Sequence, residues 1–241
     1  MRVIIVKDYG ELSKKAAGIL ASQLILKPDS VLGLATGSTP VGTYAELVKL
    51  YKQGSVSFGD ATTFNLDEYY GLDPSNTNSY IYFMNDNLFN HVDMNKNKIN
   101  MPNGLAKDIQ VECDSYEERI DAQGGIDMQL LGIGRNGHIG FNEPDIKFEA
   151  TTHLVNLDDD TINANSRFFN NIEEVPKQAI SMGIKTIMHS RKILLLACGE
   201  EKAQIVYDMI HGKITPELPA SVLQLHPDVI VIADKEAGKF L

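Results

Sequence analysis

The sequence is short of cysteine and of cations, and it has no long apolar run. Its two cysteines, Cys113 and Cys198, are too few for a disulfide framework and point to a reducing compartment. Lys and Arg number 22 against 32 Asp and Glu, giving a formal net charge of -10 and no basic stripe for nucleic acid. A chain this acidic must meet an anionic ligand with local cations, because its overall field does not attract one. No apolar stretch approaches the ~18 residues of a membrane span. The N-terminal run Val3 to Val6 is too short for a signal-peptide core and reads as a strand. Internal repeats, low-complexity tracts and Pro/Ser-rich linkers are also missing. These absences lead us to expect a soluble cytoplasmic protein with no nucleic-acid or membrane partner. The 241 residues, 43% hydrophobic and 22% charged, suffice for one large core and a single domain over 1–241.

What is present is an alternation of short aliphatic runs with helical periodicity. Val3–Val6, Val31–Ala35, Ala61–Leu66, Ile126–Ile133, Lys192–Cys198 and Val229–Ala233 read as strands, several of them apolar on both faces. Leu12, Ala16, Ile19 and Leu20 recur at helical spacing, and Ser79–Phe89 and Asp108–Ala122 read as helices. Doubly buried strands separated by helices predict an α/β fold, with a mainly parallel sheet covered on both sides. His153 to Pro176 stands apart: it is rich in Asn and Asp, weakly periodic, and reads as a mobile lid.

Four strand ends carry groups suited to chemistry. After the second strand comes Thr36-Gly37-Ser38-Thr39-Pro40. Thr39 suits an N-cap and Pro40 a first helical position, and the free N–H groups of that turn, with Gly37 allowing close approach, form an anion site. A plain capped turn is the competing reading. After the Lys192–Cys198 strand, Gly199-Glu200-Glu201-Lys202 opens a helix. Lys202 opposes the helix dipole there, and a bound anion would offset that; a solvated Lys is the alternative.

Gly132-Ile133-Gly134-Arg135-Asn136-Gly137 matches G-x-G-x-x-G literally. The dinucleotide fingerprint requires a helix at its third Gly, whereas Gly140, Asn142 and Pro144 make this a long loop. No nicotinamide cofactor is expected. The loop instead carries His138 and Glu143, two titratable groups able to move protons. Asn65-Leu66-Asp67-Glu68-Tyr69-Tyr70 ends a further strand in two carboxylates, either of which could be a base whose pKa is raised by burial; a helix cap or loop acid is the plain reading. Arg167, in Asn165-Ser166-Arg167-Phe168-Phe169, can hold a phosphate bidentately or sit on the surface.

These segments, with Leu223-Gln224-Leu225-His226-Pro227, occur in the order of the glucosamine-6-phosphate deaminase (glucosamine-6-phosphate isomerase) family, which the chain resembles from end to end. The resemblance implies a Rossmann-like three-layer α/β/α sandwich, and conversion of glucosamine 6-phosphate and water to fructose 6-phosphate and ammonium. It implies that Asp67 is the enolisation base and that His138 opens the ring, with Asn136 and Glu143 in its relay. It assigns phosphate binding to Thr36, Gly37, Ser38, Thr39, Arg167 and Lys202. It also implies that neither a metal nor an organic cofactor is needed, since the substrate's own carbonyl accepts the electrons.

Two departures from the family pattern stand out. Asn136 replaces an Asp common among relatives and cannot take a proton, so only orientation or a backbone role is open to it. The segment Asp145 to Val155 has Lys147 as its only fixed cation, where allosteric members carry several, and the chain ends soon after Phe240. We therefore expect a monomer or small homo-oligomer without allosteric activation. The competing expectations are a 6-phosphogluconolactonase-like hydrolase, which needs no base aimed at C2, and a non-catalytic sugar-phosphate sensor, which needs no proton relay.

Overall fold

The computed structural model describes residues 1–158, 161–163, 166, 169 and 171–241. Seven strands form one all-parallel sheet: β1 (Arg2–Val6), β2 (Val31–Leu34), β3 (Thr62–Asn65), β5 (Ile99–Asn100), β6 (Met128–Leu131), β9 (Ile193–Ala197) and β10 (Val229–Asp234). Their order is β1-β10-β9-β6-β2-β3-β5. Helices α1 (Tyr9–Leu26), α2 (Ser38–Lys52), α3 (Tyr80–Asn87), α4 (Ile109–Ala122), α5 (Ile184–Met188) and α6 (Ala203–His211) connect and cover it. β2, β6 and β9 are buried at every position, which is why they read as apolar runs, interrupted by Gln129 alone. Among the described residues, no helix is long and apolar enough to cross a membrane.

The expected helix starts hold at α3, capped by Ser79, and at α4, capped by Asp108, while α3 ends at Asn87, before the expected Phe89. α2 corrects the expectation. Gly37, not Thr39, is its N-cap residue, and its φ of 100° turns the chain directly from β2 into the helix. Pro40 therefore lies third in the helix rather than first. It is tolerated there because that N–H has no intrahelical acceptor in any case.

A second, antiparallel sheet was not legible in the sequence. β4 (Asp67–Tyr69), β8 (Gln178–Ser181) and β7 (His153–Asn156) pair in the order β4-β8-β7. One residue, Leu66, carries the chain from β3 into β4 and so from one sheet to the other. The small sheet has its own apolar cluster of Tyr69, Phe141, Leu157 and Ala179, flanked by Tyr80, Ile162 and Phe169. The first four residues of the segment His153 to Pro176 are strand β7, with Leu154 and Val155 in register with Ile180 and Ala179.

Candidate active site

The sheet order explains why separate sequence motifs meet. β9, β6, β2 and β3 are consecutive neighbours, and each of the four constellations follows one of them. Connections leave β2 and β6 toward opposite edges, so the crevice between their carboxyl ends is a topological switch point, where open α/β sheets bind ligands.

At the end of β2, the first turn of α2 has no side-chain cap, and Gly37 and Ser38 are exposed. Its N–H groups thus face solvent at the positive end of a helix of 15 residues. Tyr9 of α1 buttresses this turn. Its hydroxyl donates to the Ser38 carbonyl at 3.1 Å and accepts from the Gly42 N–H at 2.8 Å.

At the end of β9, Gly199 (φ 97°) turns the chain into a single 3₁₀ turn, Glu200–Lys202, which leads into α6. Asp234, at the end of β10, fixes this turn. Its buried carboxylate accepts from the Cys198 thiol at 2.9 Å, from the Gly199 N–H at 3.2 Å and from the Ala237 N–H at 2.8 Å. Burial, reinforced by the Asp234 carboxylate, pushes the Cys198 thiol up to about 12, so it acts as a neutral donor. Lys202 is half-buried at the head of α6.

Asp67 and Glu68, equivalent in the sequence, separate in the structure. Glu68 is consumed by backbone: its carboxylate accepts from the N–H groups of Tyr69, Tyr80 and Ile81 at 2.8–3.0 Å, which fastens β4 to the start of α3. Asp67 is 6% exposed, and among the described residues none hydrogen-bonds its carboxylate. Burial, then the charge of Glu68, pushes its pKa up to about 8. It lies under the loop that follows β6: a Cβ on Gly140 (φ 59°) would stand 3.7 Å from Asp67 Oδ2.

That loop carries a compact relay. Nδ1 of His138 is 3.2 Å from Glu143 Oε2, within ion-pair distance although off the hydrogen-bond direction. Asn136 donates through Nδ2 to the same oxygen at 2.7 Å and accepts the His138 N–H on Oδ1 at 3.2 Å. The side-chain amide of Asn136 thus bonds to both partners. Thr161 donates to Glu143 Oε1 at 2.5 Å. Burial opposes the charge on Glu143, but the contacts with His138, Thr161 and Asn136 outweigh it and its pKa is lowered.

The loop is tied down at both ends. Phe141 N–H donates to Ser181 Oγ, Asn142 donates to the Ile139 and Met182 carbonyls, and Ala220 N–H reaches the Gly137 carbonyl. The structure thus brings together Asp67, Asn136, His138 and Glu143. It places Thr36, Gly37, Ser38 and Thr39 after β2 and Lys202 after β9, the two strands that flank β6. Arg167, with Asn165 and Phe168, lies outside the described residues. Tyr9, Thr161 and Asp234 were not singled out by the sequence, because each acts through a partner distant along the chain. Among the described residues, no group of three or more His, Cys, Asp or Glu side chains is placed to hold a metal ion.

Comparison with known proteins gives the family of the chain. The profile of the family described as glucosamine-6-phosphate isomerases/6-phosphogluconolactonase matches residues 10–231. A glucosamine-6-phosphate deaminase of Clostridium botulinum (strain Langeland) is 62% identical over 241 residues, covering 100% of this chain and 99% of that protein. The deaminase of Clostridioides difficile (strain 630) is 60% identical over 100% of this chain and 97% of its own length. A solved structure of a monomeric glucosamine-6-phosphate deaminase superposes with a TM-score of 0.97 at 49% identity, over 100% of both chains. A 6-phosphogluconolactonase from Thermotoga maritima shares the fold alone, with a TM-score of 0.75 at 18% identity over 97% of this chain and 99% of that one. The chain belongs to the glucosamine-6-phosphate isomerase/6-phosphogluconolactonase family.

Proposed function

We propose that the protein is a glucosamine-6-phosphate deaminase, converting glucosamine 6-phosphate and water to fructose 6-phosphate and ammonium. The observation that carries this reading is a buried carboxyl, Asp67, without a hydrogen-bond partner among the described residues, beside a His138–Glu143 relay and an uncapped helix start. A lactonase has no use for a base aimed at C2, and a sensor has no use for the relay. The relatives at 60–62% identity support the deaminase reading.

In this mechanism the phosphate rests on the Thr36–Thr39 turn, with Lys202 and Arg167 as its cations. That anchor sets the sugar's C1 and C2 over the loop after β6. His138 moves the proton between the anomeric hydroxyl and the ring oxygen, and Glu143 stabilises the imidazolium as it forms. The open aldehyde acidifies the C2 hydrogen. Asp67 removes it and returns a proton to C1, and water hydrolyses the resulting C2 imine to release ammonium. The segment His153 to Pro176, less the strand His153–Asn156 with which it begins, remains the proposed lid. The two free cysteines suit a cytoplasmic enzyme. Incubation with glucosamine 6-phosphate should release ammonium and fructose 6-phosphate in equal amounts. Hydrolysis of 6-phosphogluconolactone without ammonium release would overturn the reading.

We further expect hyperbolic kinetics from a monomer or small homo-oligomer, unaffected by N-acetylglucosamine 6-phosphate except as a weak competitor. Allosteric activation requires ~1–3 kcal/mol of differential effector binding, which for a phosphate comes from cations. In the Asp145–Val155 segment, the single fixed cation, Lys147, is already paired with Glu149 at 2.7 Å. Rate curves with and without the effector check this; a sigmoid that the effector turns into a hyperbola would count against it.

A further inference from the structure

We propose that Thr161 is a positioning residue of the acid/base relay: its buried hydroxyl fixes the second carboxylate oxygen of Glu143, and so ties the polar segment after β7 to His138. The inference rests on the deaminase reading and extends it to a residue outside the four strand ends.

Glu143 has two oxygens in unlike surroundings. Oε2 faces Asn136 and His138, both from its own loop. Oε1 accepts from the Thr161 hydroxyl at 2.5 Å, 18 residues along the chain. The Glu143 side chain is 10% exposed and Thr161 is 6% exposed, so water cannot readily replace that donor. A buried carboxylate oxygen left without a donor costs more than an exposed one, and a donor to a charged acceptor is worth more than one to a neutral group. The hydroxyl can rotate its hydrogen onto Oε1, whereas a methyl of the same size cannot.

The segment holding Thr161 is itself anchored. Leu157 N–H donates to the Lys177 carbonyl at 2.9 Å, and Ile162 N–H to the Asp158 carbonyl at 2.9 Å. Leu157, Ile162 and Phe169 join the apolar cluster that contains Tyr69 and Phe141, with the Phe169 and Tyr69 rings 6.0 Å apart, edge to face. Tyr69 lies two residues after Asp67, and Phe141 two before Glu143. One small core therefore sets the base strand, the relay loop and the Thr161 segment against one another. The titratable group acting on Glu143 is His138, from the relay loop; Asn136 and Thr161 are neutral, and Thr161 is the side chain its segment presents to Glu143 among the described residues.

Thr161→Val keeps shape and burial while removing the donor; Thr161→Ser keeps the donor. The carboxyl of Glu143, followed by carbon NMR in protein with labelled glutamate and assigned by its loss in Glu143→Gln, should titrate roughly one pH unit higher in Thr161→Val and return in Thr161→Ser. kcat should fall several-fold in Thr161→Val with KM within roughly two-fold, and Thr161→Ser should recover it. An unmoved titration in Thr161→Val, equal defects in both variants, or a change confined to KM would each overturn the assignment. The titration reads Glu143 whether or not the enzyme deaminates, so failure of the deaminase reading appears separately, as a wild-type protein that releases no ammonium.

Discussion

Asp67→Asn should lose at least 100-fold in turnover and at the same time melt at a higher temperature than the wild type. Both expectations come from one feature, a carboxyl buried at 6% exposure with no hydrogen-bond donor among the described residues. Asn keeps the shape but cannot take the C2 proton, and positioned proton transfer is worth roughly 100- to 10,000-fold. Substrate affinity should change by a small factor, since the phosphate anchor lies on other strand ends. Solvent exchange of the C2 hydrogen should disappear with turnover; exchange at the wild-type rate would remove Asp67 from the role of base. The stability effect follows from linkage. The substrate-free folded state holds the Asp67 proton up to about pH 8, so only its ionised fraction acts as base and turnover should rise toward that pH, while the unfolded chain releases the proton near the ordinary carboxylate value of 3.8. Stability from this group is thus full below the unfolded value and is lost as pH rises through the folded one. Asn has no proton to lose. The variant's advantage should therefore be small near pH ~4 and grow to on the order of a few kcal/mol above pH ~8, or several degrees in Tm. Thermal unfolding at both ends of that range tests it, and an advantage independent of pH would show that the gain has another source.

How much of this was legible in the sequence depended on distance along the chain. The parallel sheet was, because β2, β6 and β9 are buried on both faces and are apolar throughout except at Gln129 of β6. The adjacency of four strand ends was not, since strand order is a property of crossover connections rather than of any one segment. The small sheet escaped notice because Asp67–Tyr69 and Gln178–Ser181 are short and partly polar, with a pairing partner more than a hundred residues away. The choice between Asp67 and Glu68 could not be made locally: the backbone groups that consume Glu68 belong to Tyr80 and Ile81. Asn136 went the other way. The sequence left its role open between orientation and backbone, and the two hydrogen bonds of its amide support orientation. The family resemblance supplied the reaction, and the geometry supplies reasons for individual residues.

Gly134→Ala should cost about 100-fold in kcat, while Gly132→Ala, two residues earlier in the same loop, should be nearly neutral. The two glycines are indistinguishable in the G-x-G-x-x-G spacing. The difference is what each faces. The imidazole of His138 lies directly on Gly134: a Cβ there would stand 2.3 Å from Cε1 and Nδ1 and 2.6 Å from Cγ. A Cβ on Gly132 would meet nothing within 4 Å. The backbone at Gly134 cannot back away cheaply, because its N–H donates to the His138 carbonyl at 2.9 Å and its carbonyl accepts from the Gly137 N–H at 3.1 Å. The ring must therefore move. Moving it breaks the 3.2 Å approach of Nδ1 to Glu143, on which its orientation depends. A displacement of about 1 Å in a reacting group can cost on the order of 100-fold. Because the phosphate turn and Asp67 stay in place, KM should change little and C2 exchange from an already open-chain substrate should persist. That pattern separates a displaced His138 from general unfolding. Should Gly134→Ala turn over normally, or lose C2 exchange on the open-chain substrate as well, the imidazole would not be the ring-opening group.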